Sequence, residues 1–578
     1  MPSAPKVPHE LYTRYIETGQ DENLVHRLWG VVPRTLGEAY DSALSVTPEV
    51  DSGKLEDLKQ VLKRRHREWG LLTKGTAESI DRLEEGVVET GQQPVCLGGP
   101  GYIINKISCA WRLSSLGDRS EMVPVFYVAD YDGIQNELLN IWVPSNSPKG
   151  FLISLPAEKR LEGCPIYVLK TPTEKWLKMV LDKLMENYRI LLKDSEPPVR
   201  ERCIEHLRHA LSIVKSTYYS SENVSEWYTK IVGALINVEA GLSVPLITFS
   251  MPDARRLFLD GYEYLLQDSV RKTFIEATNE ATGLLETNGY RPQIGHRNRD
   301  YVPFFLECMN PDCMRRRVEL KYHHKQGEVT ASAEGECPLC RQTYSFSFES
   351  ENPDLSEISD WISPRVDSRQ IIVNSVVPVR CHVGGPGETS YHAEVMSGAM
   401  SLGIRFPVFT RYTRVFYNTP WNESCAHRLR DLGYQPMLSD ELYRALSRWV
   451  EARNRGGTPE LAVAHREIKV CTDVPYTGLL EEVRVLGEQS ARMREELKTS
   501  TDRARILEEM SRNRQRLDLL NLYLSSAFGR FSPERYGQEV SWSWLDMAVV
   551  SGLDDLTGVF TRMYSRHTPM SSVFFANI

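Results

Sequence analysis

The chain has 578 residues, 41% hydrophobic and 25% charged, a balance that excludes a disordered or fibrous chain and allows about three to four folding units at roughly 150 residues each. Its 69 Lys and Arg against 77 Asp and Glu give a formal charge of −8, which disfavours nucleic-acid backbones as the main partner. No apolar run approaches the roughly 20 residues of a membrane span and the first residues lack a signal-peptide core, so the eleven cysteines read as thiols or metal ligands of a cytoplasmic protein rather than disulfides.

In chain order, residues 1–86 read as helical, with an amphipathic stretch over 55–85 broken at Gly70 and Gly75. A short apolar run from Val87 then leads to Gly98-Gly99-Pro100-Gly101, a candidate helix over 102–116 and a buried strand over 123–129. Short apolar runs alternating with helical stretches predict an α/β fold with a parallel, doubly wound sheet. Residues 172–266 read as mostly helical, with a strand-like run at 244–249. Strand-like segments return at 370–373 and 376–383, ending at Gly384-Gly385-Pro386-Gly387; a helix is expected from Thr389 and another strand over 405–410. The stretch around 453–459 reads as a loop. From 477 to 528 apolar residues recur mainly three and four apart, with a phase slip between Leu497 and Ile506, which fits either a coiled-coil seam between subunits or a helical hairpin packed on itself.

Cysteine spacing is the strongest chemical signal. Cys308 and Cys313 are followed, after 23 intervening residues, by Cys337 and Cys340. Two close thiol pairs flanking a hairpin can surround one zinc ion tetrahedrally, and four thiolates leave no open position for substrate, so the expected zinc is structural. The two Gly-Gly-Pro-Gly turns are the second signal. Each follows a strand-like run and precedes a helix, where free amides and the helix dipole favour an anion. Neither completes a dinucleotide fingerprint, since Ile104 and Ser390 take the place of the third glycine, and no phosphate loop is present; a nucleotide stays an open cofactor. Polar residues gather beside the turns: Thr90, Gln92 and Gln93, Asn105 and Lys106, Asp130 and Asp132 beyond a strand, Glu388 and Tyr391, with Arg365, Arg411 and Arg414 on neighbouring segments. Together they suit one cleft for a small acidic substrate and an amine.

The blocks Glu89-Thr90-Gly91-Gln92-Gln93-Pro94, Gly99-Pro100-Gly101-Tyr102 with Lys106, and the valine-rich run from Val123 resemble the opening blocks of the bacillithiol-biosynthesis cysteine-adding enzymes, the BshC family. Ser363-Pro364-Arg365-Val366, then Arg369, Val377-Pro378 and His382-Val383-Gly384-Gly385-Pro386-Gly387-Glu388 with Tyr391 resemble its most specific block, and Phe406-Pro407-Val408 with Arg411 the next. Two features depart from the pattern: Ala129-Asp130-Tyr131-Asp132 stands where the family carries an E-D-H-D run, and the four-cysteine segment replaces a short insert. The resemblance implies a Rossmann-like core split by connecting helical segments and a dimerising C-terminal coiled coil. Along this chain the expected division is an N-terminal helical segment over 1–86, core halves over 87–170 and 351–470, connecting helices over 171–299, a coiled coil over 471–530 and a C-terminal segment over 531–578, with the zinc-ribbon insert over 300–350 read from the cysteines.

It also implies attachment of cysteine to the amino group of glucosaminyl-malate or a related amino-sugar conjugate, in a homodimer. On this reading Asp130 or Asp132 serves as base or amine anchor and Lys106 joins them as catalytic. Thr90, Gly91, Gln92, Gln93, Gly99, Gly101, Arg365, Gly384, Gly385, Gly387, Glu388, Tyr391 and Arg411 bind substrate. Two alternatives stand beside it. One is a class I aminoacyl-tRNA-synthetase-like protein, for which the H-x-G-H-type and K-M-S-K-S-type motifs are missing; the other is a non-catalytic zinc-ribbon scaffold.

Overall fold

The computed structural model describes residues 10–117, 121–147, 150–325, 327–436, 438–455, 458–524 and 538–578. Five short runs rich in β-branched residues form the central sheet: β1 (Val87–Gln92), β2 (Val123–Val128), β3 (Leu246–Thr248), β4 (Val379–Gly384) and β5 (Val408–Arg411). All pairings are parallel and the order is β5-β4-β1-β2-β3. Alternation along the strands feeds two cores. Val88, Phe126 and Val128 face one side, while Val87, Val123, Val125 and Tyr127 face the other. Pro124 fits within β2 because Val123 N donates to Gly86 O on the β1 side (2.8 Å) and Phe126 N to Pro245 O on the other. The donor that Pro124 lacks therefore falls on the β3 side, before pairing with β3 begins at Phe126.

Strand order reverses between β1 and β4, the topological switch point at which open α/β sheets hold ligands beyond their carboxyl ends. Helix α1 (Tyr102–Ser114) follows β1, and helix α2 (Pro386–Ser401) starts directly at the end of β4. Helices Glu174–Leu191, Pro197–Tyr219 and Val224–Gly233 connect β2 to β3, and the Pro-Pro pair opens the second of them, in the first turn where a missing N–H is harmless.

The four-cysteine segment is an antiparallel sheet of Tyr301–Glu307, Arg317–His324, Thr330–Glu336 and Thr343–Glu349, extended by Ile362–Pro364 on the outer side of the first strand. Two local expectations differ from the structure. Residues 370–373 lie in the helix Arg369–Asn374, whose residues are all buried between the sheet and its neighbours, so their apolar run is helical core. Pro459 sits in the first turn of the helix Thr458–Thr499, where proline is tolerated, while Gly456 and Gly457 lie outside the described residues.

The charged C-terminal stretch forms an intrachain helical hairpin: Thr458–Thr499 packs against Arg503–Tyr523 through Leu479, Leu486, Leu519, Leu520 and Tyr523. The phase slip in the sequence marks its turn. Residues 525–530 of that stretch, and 531–537 of the C-terminal segment, lie outside the described residues, as do 1–9 at the start of the N-terminal segment. The C-terminal segment belongs to the core: Val573–Asn577 pairs in parallel with Arg414–Asn418, and Ser543 N donates to Trp142 O at 2.8 Å. Among the described residues no helix is long and apolar enough to cross a membrane.

Candidate active site

A cavity of about 420 Å³ opens at the switch point, over the ends of β1 and β4. Its lining includes Gly91 and Gln92 at the end of β1, Gln93 just beyond it, Gly385 from the turn into α2 and Gly387 from the first turn of α2. Glycine is required where these walls meet: a Cβ on Gly91 would lie 2.7 Å from Tyr127 O, and one on Gly384, behind the rim, 2.6 Å from the Phe409 ring.

Lys106 reaches the cavity from the second turn of α1. Only 1% of its side chain is exposed, and Nζ donates to Gly91 O (2.6 Å) and Glu388 Oε2 (2.7 Å). Glu388 caps α2, accepting Gly385 N at 2.6 Å. Its other oxygen meets His382 Nε2 at 3.4 Å, and His382 Nδ1 lies 3.8 Å from Glu89 Oε1. Glu89 in turn accepts Arg369 Nη1 (2.9 Å) and Gln370 Nε2 (2.8 Å). A buried row of alternating charge, Lys106–Glu388–His382–Glu89–Arg369, thus runs beneath the cavity, and Lys106, Glu388 and Arg369 reach its wall. Burial works to raise both carboxyl pKa values and to lower that of His382, but the neighbours win. Lys106 and His382 hold Glu388 well below the ordinary carboxylate range. His382 and Arg369 bring Glu89 down to about 2, and Glu388 with Glu89 raises His382.

Asp132, also in the lining, is fixed at both oxygens: Arg317 Nη2 donates to Oδ1 (2.8 Å) and Gln93 Nε2 to Oδ2 (3.0 Å). Tyr102, Tyr127, Tyr131, Tyr391 and Tyr412 complete an aromatic lining, with Tyr102 and Tyr412 stacked at 6.3 Å. The cavity therefore presents cations and carboxylates across an aromatic box, a setting for a zwitterionic amine and an acidic ligand.

Of the residues singled out in the sequence, Gly91, Gln92, Gln93, Lys106, Asp132, Gly385, Gly387, Glu388, Tyr391 and Arg414 line this cavity. Asp130 lies elsewhere. It is fully buried and its carboxylate is taken by Ser225 Oγ (2.9 Å), Ser250 N (3.2 Å) and Thr248 Oγ1, so it ties β2 to β3 rather than facing ligand; burial raises its pKa. Gly99 and Gly101 are covered by the chain's own C-terminal segment: Trp544 N donates to Gly99 O and Gly101 N to Trp542 O. Gly99 has φ +81°, which explains its glycine without a ligand. Thr90 Oγ1 donates to Val383 O, Arg365 pairs with Glu319 over the Phe305 ring, and Arg411 donates to Thr13. These residues and Gly384 hold walls behind the cavity.

Sequence reasoning missed Glu89, His382, Arg369 and Arg317 as site residues. The first two carried a readable signal, since each is an ionisable group at a buried position of a central strand, and they sit opposite each other across β1 and β4.

The four cysteine sulfurs lie within 4.8 Å of one another, with Cys308–Cys340 at 3.7 Å and Cys313–Cys337 at 3.8 Å. Tetrahedral zinc with Zn–S of about 2.3 Å requires sulfurs about 3.8 Å apart, so the group has the dimensions of a closed four-thiolate site. A backbone hydrogen bond from Gln342 lowers the Cys340 thiol to about 7.

Fold and cavity define a doubly wound α/β protein with its ligand site at the switch point of a Rossmann-ordered sheet. Residues 4–412 match the family described as bacillithiol biosynthesis BshC, N-terminal Rossmann-like domain, and the chain belongs to that family. A relative from Oceanobacillus iheyensis, named "Putative cysteine ligase BshC", is 21% identical over 538 residues, covering 89% of each chain. A relative of the same name from Bacillus cereus (strain AH187) is 23% identical over 349 residues, 57% of this chain and 56% of that one. The chain thus spans little more than half the length of some curated relatives it matches and nearly all of another.

Proposed function

We propose that the protein is a cytoplasmic carbon–nitrogen ligase that joins the carboxyl group of cysteine to the amino group of an amino-sugar conjugate, glucosaminyl-malate or a close relative, in low-molecular-weight thiol biosynthesis. The observation that carries this reading is the cavity at the switch point, whose lining brings together Asp132, Lys106 and Arg369. Amide formation needs an amine free of its proton, a cysteine carboxyl activated by a co-substrate whose activating group leaves as the C–N bond forms, and donors for the oxyanion that develops. Asp132, its oxygens oriented by Arg317 and Gln93, anchors the amine and accepts its proton. Lys106 gives two of its three N–H donors to Gly91 O and Glu388, and its charge together with that of Arg369, at the other end of the buried row, holds the acidic substrate. Asp130, buried among hydroxyls, has no part in this scheme.

Family membership favours this reading over the synthetase-like and scaffold alternatives. Structural zinc on Cys308, Cys313, Cys337 and Cys340 belongs to the same proposal, supported by the sulfur spacings; four thiolates close its coordination and leave it a fold-holding role. A homodimer through the 458–523 hairpin completes it, supported by the exposed Leu507 on that hairpin. Mass spectrometry of thiols in cells with and without the protein tests the activity. Loss of one cysteinyl amino-sugar thiol with build-up of its free amine is expected, and an unchanged thiol profile would overturn the reading.

A further inference from the structure

The four-cysteine ribbon lies far from the glycine turns in sequence, yet its first cysteine knuckle is bonded to the loop that carries Asp132. Cys313 O accepts Arg316 N (3.0 Å) and the Cys164 thiol (3.6 Å), and Arg316 Nη2 donates to Arg160 O at 2.8 Å. Glu307, the residue before Cys308, is fully buried, pairs with the buried Arg255 and the half-buried Arg315, and accepts Tyr167 Oη at 2.5 Å. The 160–167 segment gripped in this way is itself part of the Asp132 loop's support, because Ile166 N donates to Asp132 O (2.8 Å) and Tyr167 N to Asp130 O (3.2 Å).

The most direct link is Arg317, four residues after Cys313. One of its nitrogens, Nη2, donates both to Asp132 Oδ1 and to Tyr131 O, and its guanidinium lies over the Phe305 and Tyr131 rings, 5.1 and 5.7 Å from their centroids. Those rings and the two acceptors fix a long side chain in one geometry, which an isolated surface ion pair would not do.

We infer that Arg317 is a positioning residue for Asp132, and that the four-cysteine ribbon, by holding Arg317 and the 160–167 segment, sets the amine-binding side of the cavity. The role of Asp132 rests on the function proposed above; the mechanical coupling of ribbon to loop does not. A change at the cysteines then reaches the cavity through named bonds, and the ribbon is a wall of the site as much as a separate module.

Hydrogen exchange of the full-length protein reads the coupling without any substrate. Arg317→Ala is expected to raise exchange at residues 129–134 with zinc content unchanged, and to raise KM for the amine roughly tenfold or more with a smaller effect on kcat, as misplacement of an anchoring group does. Arg317→Lys is expected to restore part of both. Treatment of the parent protein with a zinc chelator is expected to raise exchange at 129–134 as well as across 301–349. Exchange at 129–134 that stays at the parent level in Arg317→Ala, or that stays unchanged while the ribbon loosens under chelation, overturns the inference. A parent protein that turns over no amino-sugar acceptor counts against the proposed function alone, because the exchange result still decides the coupling.

Discussion

Lys106 is a cation with 1% of its side chain exposed, held where ionised lysine is costly unless paired. What keeps it there is the carboxylate of Glu388 on one side and a strand-end carbonyl on the other, and what keeps Glu388 ionised is the same lysine with His382. Removing one partner of such a pair leaves the other unmatched, which typically costs roughly 3–5 kcal/mol, whereas removing both is far milder. Lys106→Met should therefore lower stability by about 3 kcal/mol in urea melts, and the double change Lys106→Met/Glu388→Gln should recover most of that loss. Both variants should be inactive. Equal stability of the single and double variants would show that the pair is not the unit drawn here. At this scale the sequence displayed Lys106, Asp132 and Glu388 beside glycine turns. It did not display which of two neighbouring aspartates faces solvent, because that depends on Ser225 and Thr248, residues 95 and 118 positions away.

The glycine turns and the ribbon show what elements disclose before folding and what they do not. Both turns follow strands and precede helices as their residues suggest, but only the second borders the cavity; the first is closed over by Trp542–Trp544, more than 440 residues downstream, an occupant no local pattern announces. The ribbon was legible from cysteine spacing because ligand geometry is a local constraint. Its position against the Asp132 loop was not. Elemental analysis should find close to one zinc per chain, and Cys313→Ser with Cys337→Ser should abolish it. Because metal binding to such a group is also folding free energy, chelation should lower the melting temperature and open the ribbon to protease before the sheet core. Zinc-free protein with the parent melting curve would refute the metal assignment. The hairpin illustrates a limit of periodicity: the apolar spacing from 477 onward is filled by a partner helix of the same chain, an outcome that fits the same pattern as a seam between subunits.

At the scale of the whole molecule, the cavity is assembled from both halves of the sheet and closed by the chain's last segment. Val540 lines it, and next to it Glu539 is buried, accepting Val415 N (3.0 Å) and Asn105 Nδ2 (2.8 Å). Nearby Asp546 is buried between Tyr417 Oη (2.8 Å) and Tyr188 Oη (3.4 Å). Burial pushes both carboxyls up to about 7. Their folded pKa values lie above the unfolded ones, so between about pH 4 and 7 the native state holds more protons than the unfolded chain, and this contribution to stability is lost as pH rises through 7. The melting temperature should therefore fall between pH 5 and 7 and level off above that, and fall less in Glu539→Gln. An equal slope in both proteins would contradict the burial of an ionisable Glu539.

The α/β class with its parallel Rossmann-like sheet and the family were readable from short motifs, whereas the edge strand Leu246–Thr248, legible as a strand-like run, lies among the connecting helices and outside both expected core halves. The composite nature of the site was not, since strand order, the returning C-terminus and the ribbon contact are tertiary facts.

The most direct test is complementation of cells lacking the protein, with thiols quantified by mass spectrometry and folded protein levels matched. The parent chain should restore the cysteinyl amino-sugar thiol, Asp130→Asn should restore most of it, and Asp132→Asn and the Lys106→Met/Glu388→Gln pair should restore almost none. Full restoration by Asp132→Asn and by the double variant would contradict the assignment of chemistry to the cavity between β1 and β4.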